Sequence, residues 1–272
     1  MGGLTRNFFV VFLLLSVSWS AFAIHGEFLP RNQLPPRVCA VYYFTDASRV
    51  KPKGHCTGTI IAPGRILTAA HCEQESEGSP ASIYCGNDNI DAKVDKPVGK
   101  VGRREVHKDY TGFISPGSTD HDVAVLEFFD PKNTPGIQLA GSEKQIRQVL
   151  KWSWGEFGIP YYMVQTPRAY WPHCVLVGYG QDGTDSNAPF HGVPARGSLT
   201  ITGDHIIEGI EVVDNTNFGD GGDSGSPLAC MTESGQWMLV GTMSRAMYGV
   251  STNYQSLSYN YEGIEKILDL WK

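Results

Sequence analysis

Four glycines fall within seven residues at Gly219-Asp220-Gly221-Gly222-Asp223-Ser224-Gly225, and Ser226-Pro227-Leu228 follows. Such a run suits neither a helix nor a strand interior, because glycine gives up more backbone freedom on ordering than any other residue. It reads as a tight loop whose small residues let a second backbone come close to the hydroxyl of Ser224. In that loop the peptide N–H groups of Gly222 and Ser224 can converge on one point, which is what a developing oxyanion requires. A loop of this kind needs a rigid support. Across 272 residues, 31 glycines and 16 prolines cut the chain into short segments, which favours many short strands over a helical bundle. The length fits one large all-β unit, and a formal charge of −6 offers no basic footprint for nucleic acid.

The first 23 residues read differently. Arg6 gives a positive start, Phe8–Leu15 is an unbroken apolar run, and Ala21-Phe22-Ala23 is an A-x-A cleavage site. The run is too short to span a bilayer well, so residues 1–23 are expected to be a cleaved signal peptide. The expected product is secreted or periplasmic and does not contact a membrane after cleavage. In an exported chain the six cysteines, Cys39, Cys56, Cys72, Cys85, Cys174 and Cys230, favour disulfides over metal ligation or free thiols. Six cysteines allow fifteen pairings, among which the sequence alone does not choose.

Periodicity places the coarse elements. Val38–Phe44 is an aromatic-rich first strand, and Gly54–Cys72 is a hairpin turning at Pro63-Gly64. Ser82–Cys85, Gly197–Thr202 and His205–Val213 read as further strands. Residues 131–172, with Trp152, Trp154 and Trp171, read as a connection with inserted loops. Ile264, Ile267, Leu268 and Trp271 share one helical face, so residues 261–271 are expected to be a C-terminal helix.

Three separated stretches carry a family resemblance. Asp223-Ser224-Gly225-Ser226-Pro227 resembles the nucleophile motif of the trypsin/chymotrypsin-like serine proteases, and its Ser226 variant looks like bacterial members. Thr68-Ala69-Ala70-His71-Cys72 resembles the segment that carries their base, and Asp122-Val123-Ala124-Val125-Leu126 the segment that carries their acid. Cys174-Val175-Leu176-Val177-Gly178-Tyr179-Gly180 resembles the strand that opens their second barrel. The chain order His, Asp, Ser is that of the chymotrypsin-like fold. The resemblance covers about residues 24–270 and implies two packed six-stranded antiparallel β-barrels with a C-terminal helix. The first barrel would span about 24–135 and the second about 170–258.

The resemblance further implies Ser224 as nucleophile, His71 as base and Asp122 as orienting acid, with Asp120 the runner-up. Gly222 and Ser224 would form the oxyanion hole, and Ser244 would hydrogen-bond Asp122. Disulfides would join Cys56 to Cys72 and Cys174 to Cys230; a Cys39–Cys85 bridge is plausible because those strands are neighbours in the family's first barrel. His107 is expected on a surface turn and His121 facing solvent. The chain after cleavage starts Ile24-His25-Gly26, where the family has Ile-Val-Gly-Gly. A freed Ile24 amino group pairing with Asp223 is therefore one reading, and a bare cleavage boundary is the other.

Specificity is less marked. The residue six before the nucleophile, where the family places the base of its primary pocket, is Phe218, followed by Gly219. Asp220 replaces the usual pocket cysteine, and Ala246 follows Ser244-Arg245 where a glycine is usual. These substrate-binding candidates favour a small or apolar residue, with a basic one as the rival. The expected activity is that of an exported serine endopeptidase. A catalytically inactive binding relative and an esterase on the same triad are the alternatives. No cofactor and no metal site is expected. The expected partners are protein or peptide substrates and protein protease inhibitors, and the expected state is a monomer.

Overall fold

The computed structural model describes residues 28–112, 121–149, 174–180, 187–195, 198–202, 209–213, 219–247 and 251–271. The signal-peptide reading and the tryptophans at 152, 154 and 171 lie outside them. The first half is a closed barrel of β1 (Val38–Phe44), β2 (Pro52–Ala62), β3 (Arg65–Thr68), β4 (Ala81–Cys85), β6 (Gly99–Val106) and β7 (Ala124–Phe128), in the order β1-β2-β3-β7-β6-β4. A short β5 (Asn89–Asp91) leaves this half to pair with the second.

β1 shows why the barrel closes here. Every one of its residues is buried. Cys39, Val41 and Tyr43 pack inside the barrel with Ile60, Ile66, Ile83 and Leu126. Val38, Ala40, Tyr42 and Phe44 face the other way, into a core shared with Val175, Val177 and Tyr179 of the second half. A strand wedged between two cores must be apolar on both faces, which is what its continuous hydrophobic run encodes. The Pro63-Gly64 turn between β2 and β3 has Gly64 at φ +66°, and a β-carbon there would stand 2.7 Å from the Phe128 carbonyl oxygen.

The second half was expected to be a second six-stranded barrel. The described strands form one antiparallel sheet built from β9 (Cys174–Tyr179), β10 (Asn187–Pro194), β11 (Ser198–Thr202), β12 (Gly209–Val213), β13 (Pro227–Met231), β14 (Trp237–Met247) and β15 (Ser251–Ser256). Its order is β11-β12-β15-β14-β13-β9-β10-β5, with β8 (Gln138–Leu139) beside β14. The resulting architecture is mostly β, with one closed barrel, a second sheet and three α-helices among the described residues.

All three expected disulfides are present. Cys39–Cys85 and Cys174–Cys230 each join directly paired positions on neighbouring strands, with Cα atoms 4.4 and 4.0 Å apart. Cys56–Cys72 ties β2 to helix α1 (Ala70–Ser76), with Cα atoms 6.5 Å apart. By restricting the unfolded chain, loops of these lengths stabilise by about 3–4 kcal/mol each.

Two helices depart from expectation. α2 (Glu143–Val149) lies within the stretch read as connecting loops. α3 (Leu257–Asp269) starts four residues before the expected 261. Its Leu257, Ile264 and Ile267 are buried in the core between the halves.

Candidate active site

His71 stands in the first turn of α1. Ala69 and Ala70, both fully buried, allow β3 to run straight into that helix. Two residues on, Glu73 is buried and paired: Tyr43 Oη donates to its Oε1 at 2.6 Å and Arg104 Nη1 to its Oε2 at 3.1 Å. With the Cys56–Cys72 bridge this fixes α1 to the barrel, and the His71 ring with it.

Asp122 sits just before β7 and is closed to solvent. It accepts from the His71 backbone N–H on Oδ1 (2.8 Å), and from His71 Nδ1 (2.7 Å) and Ser244 Oγ (2.5 Å) on Oδ2. Burial alone would raise this carboxyl, but the bonds from His71 and Ser244 outweigh it and hold the pKa below the ordinary value. The same pair works on His71 in reverse: burial lowers its pKa, while the bond to Asp122 and that carboxylate's charge more than offset this and leave it raised. An ionised carboxylate can only accept, so Nδ1 carries the hydrogen. Nε2 then turns its lone pair to Ser224 Oγ, 2.8 Å away.

Ser224 comes from the glycine-dense loop, which is fastened to the first half. Thr57 N–H donates to Ser224 O (2.8 Å), and Thr57 Oγ1 donates to Gly222 O (3.0 Å). Gly222 and Gly225 have φ of +87° and +83°, a region that favours glycine. At Gly225 a β-carbon would stand 2.2 Å from Thr68 Oγ1 and 2.3 Å from Thr57 O, so no larger residue fits.

The structure thus brings His71, Asp122, Ser224 and Ser244 into one hydrogen-bonded chain across both halves. Asp223 is wholly buried beside them. Its Oδ2 accepts from Asp220 N–H at 3.1 Å, while Oδ1 has no hydrogen-bond partner among the described residues. Burial pushes its pKa well above the ordinary carboxylate range. Ile24, Asp120 and Phe218 lie outside the described residues. Gly219 is buried and donates its N–H to Thr252 Oγ1 (2.9 Å), while Asp220 Oδ1 accepts from Gly221 N–H (2.7 Å). Arg245 is half-buried with its charge near Asp122, and Ala246 is exposed.

Two histidines are not where the sequence suggested. His107 is 5% exposed, and His121 is sandwiched between His107 and Tyr259 with ring centroids 4.3 and 4.7 Å away. Pairing of β6 with β7 folds them together across fourteen positions of sequence, a proximity that no local motif signals.

A family model described as Trypsin matches residues 36–261. The chain is similar to a trypsin of Simulium vittatum, 29% identical over 110 residues, which covers 38% of this chain and 41% of that protein. It is 27% identical over 241 residues to the atrial natriuretic peptide-converting enzyme of Rattus norvegicus, covering 79% of this chain and 19% of the relative. A trypsin of Saccharopolyspora erythraea is 30% identical over 96 residues, covering 35% of this chain and 40% of that protein. The matches therefore span less than half of each relative's length. Among solved structures, that of HL collagenase superposes with a TM-score of 0.60 over 90% of this chain and 97% of the other at 16% identity, a likeness of fold.

Proposed function

The chain belongs to the trypsin family, and from that premise we propose that it is an exported serine endopeptidase acting through Ser224, His71 and Asp122. The observation that carries this reading is the unbroken chain of hydrogen bonds from Ser244 through Asp122 and His71 to Ser224 Oγ. In the reaction, His71 Nε2 takes the Ser224 proton as Oγ bonds to the scissile carbonyl carbon. The carbonyl oxygen becomes an oxyanion held by the Gly222 and Ser224 N–H groups, each such donor being worth about 3 kcal/mol of barrier. The C–N bond then breaks, His71 protonates the leaving amine, and water repeats the sequence on the acyl-enzyme. Asp122 fixes the imidazole tautomer and stabilises the imidazolium without taking its proton.

Residues 1–23 act as the leader in this reading, and the freed Ile24 amino group enters the protein to pair with Asp223. Support comes from Asp223 itself, a buried carboxylate with one oxygen unpartnered among the described residues, which a buried cation would satisfy. With Phe218 in place of a carboxylate and Ala246 at the pocket wall, the substrate class favoured is a small or apolar residue before the cut.

The test is labelling of leader-free protein with a fluorophosphonate beside a Ser224→Ala control, together with sequencing of the N-terminus. Labelling that disappears in the control is the expected result. Absence of labelling in folded protein starting at Ile24 sinks the enzyme reading and leaves the inactive binding relative. Labelling accompanied by ester but not amide hydrolysis leaves the esterase.

A further inference from the structure

We propose that the hydroxyl of Thr57, a residue of the first half, is a positioning group for the oxyanion donors at Gly222 and Ser224. This rests on the proposed protease reading and adds to it a residue from the opposite half of the molecule. Between Asp220 and Ser226, every backbone N–H but two donates to an acceptor among the described residues. Those of Asp220 and Gly221 go to Asp223 Oδ2 and Asp220 Oδ1. Those of Asp223, Gly225 and Ser226 go to the carbonyls of Asp220, Met243 and Asp223. The two left over are the N–H groups of Gly222 and Ser224, the pair this reading aims at the oxyanion.

Thr57 grips the carbonyl of each of those two residues. It is wholly buried in β2. Its N–H donates to Ser224 O at 2.8 Å, and its Oγ1 donates to Gly222 O at 3.0 Å. The direction of the second bond is forced. Tyr179 N–H donates to Thr57 Oγ1 at 2.9 Å, a hydroxyl has one hydrogen, and a carbonyl only accepts, so that hydrogen goes to Gly222. The hydroxyl is itself held in place. A β-branched side chain has few χ1 positions, and Thr68 Oγ1 donates to Thr57 O at 2.8 Å. Tyr179 is tied to the same strand, its carbonyl accepting from His55 Nε2 at 2.7 Å.

What the hydroxyl fixes is a peptide plane. The Gly222–Asp223 peptide is held through its carbonyl by Thr57 Oγ1 and through its N–H by Asp220 O at 3.1 Å. That plane lies between the two leftover N–H groups along the chain, so its orientation sets the angle at which they converge. Gly222 stands at φ +87°, and without a side chain other backbone wells are within easy reach. Asp220 belongs to the same loop, whereas Thr57 belongs to a barrel strand. Without the hydroxyl both donors remain, but the plane between them loses its tie to the barrel.

The test compares leader-free protein with Thr57→Val, which keeps the shape and removes the hydroxyl, and with Thr57→Ser, which restores it. The substrate is a peptide p-nitroanilide with alanine before the cut, and the inhibitor is the aldehyde of the same peptide, whose adduct with Ser224 places an oxyanion at the same point. Thr57→Val should lower kcat roughly tenfold to a hundredfold, the scale of a small misplacement, with KM changed less than about twofold. The aldehyde should bind more weakly by the same factor. The pH at which His71 titrates should stay where it is, and Thr57→Ser should recover most of the loss. If the valine chain does not fold, Thr57→Cys, with its weak S–H donor, carries the same comparison. An unchanged kcat, a loss confined to KM, aldehyde binding that does not follow kcat, or a serine variant as impaired as the valine one overturns the role of the hydroxyl. A parent chain that takes no fluorophosphonate defeats the protease reading, and this inference falls with it; a labelled parent matched by its valine variant overturns this inference alone.

Discussion

Asp122 and Asp223 are both closed to solvent, yet the protein treats them in opposite ways. Asp122 receives three hydrogen bonds and is held below the ordinary carboxylate pKa. Asp223 receives one among the described residues, from Asp220 N–H, and burial pushes it well above. The lesson is that His71 and Asp122 are completed within the described residues, whereas Asp223 beneath Ser224 keeps one carboxylate oxygen without a hydrogen-bond partner among them. A buried charge left in that state is costly.

The sharpest way to break this contrast is Asp122→Asn. It keeps the shape but exchanges an acceptor for a donor at His71 Nδ1, and kcat should fall about ten-thousandfold. Asp223→Asn in the leader-free protein should cost less, roughly a hundredfold to a thousandfold, the range for a lost oxyanion donor. An Asp223→Asn enzyme as active as the parent would show that no cation pairs there. Ser244→Ala removes one of the three bonds to Asp122 and should lower kcat/KM about tenfold, the lower end of what a bond to a charged group supplies.

Gly178→Ala probes the other carboxylate, since a β-carbon there would stand 2.1 Å from Asp223 Oδ1. Thermal unfolding should show a loss of about 1–3 kcal/mol, and the loss should shrink when Asp223→Ala is added.

The smallest effect is on pH dependence, and its sign differs between the two residues. Asp122, lowered in the folded state, contributes stability that is present above its unfolded pKa and lost as pH falls through its folded pKa. Asp223, raised, contributes stability that is full below its unfolded pKa and lost as pH rises through its folded pKa. In leader-bearing protein, Asp223→Asn should remove the loss on the rising side and leave the acid limb untouched. Melting curves from about pH 3 to 8, spanning the ordinary carboxylate value, would register this as a difference between the two proteins. A parallel offset at every pH would refute it.

What the sequence disclosed and what it hid follow one physical line. His71, Asp122 and Ser224 lie in short stretches where local constraint is severe. Gly225 has no room for a side chain, Ala69 and Ala70 are buried beside the loop, and Asp122 heads an apolar strand. Such constraints leave marks within a few residues. The first strand was legible for the same reason, being buried on both faces. His107 and His121 carry no such mark, because what buries them is the pairing of β6 with β7 and the cover of Tyr259 from α3. The early start of α3 was hidden because Ser258, Tyr259 and Asn260 lack helical apolar spacing, and their contacts come from the rest of the fold. The arrangement of the second half was carried by the family resemblance, since alternation along a strand reports its two faces and says nothing about how strands join.

The bond from Thr57 N–H to the Ser224 carbonyl, with Gly225 wedged against Thr57 and Thr68, latches the half that carries Ser224 to the half that carries His71. On the proposed protease reading, this sets how a population destroys itself. A molecule whose halves have parted has lost its reactive serine geometry at the moment it offers extended backbone to others, so it is prey and never predator. Self-digestion then needs one intact copy meeting one parted copy. Its rate scales with the product of the two fractions, is slow in fully folded and fully unfolded samples alike, and peaks where about half the molecules have opened.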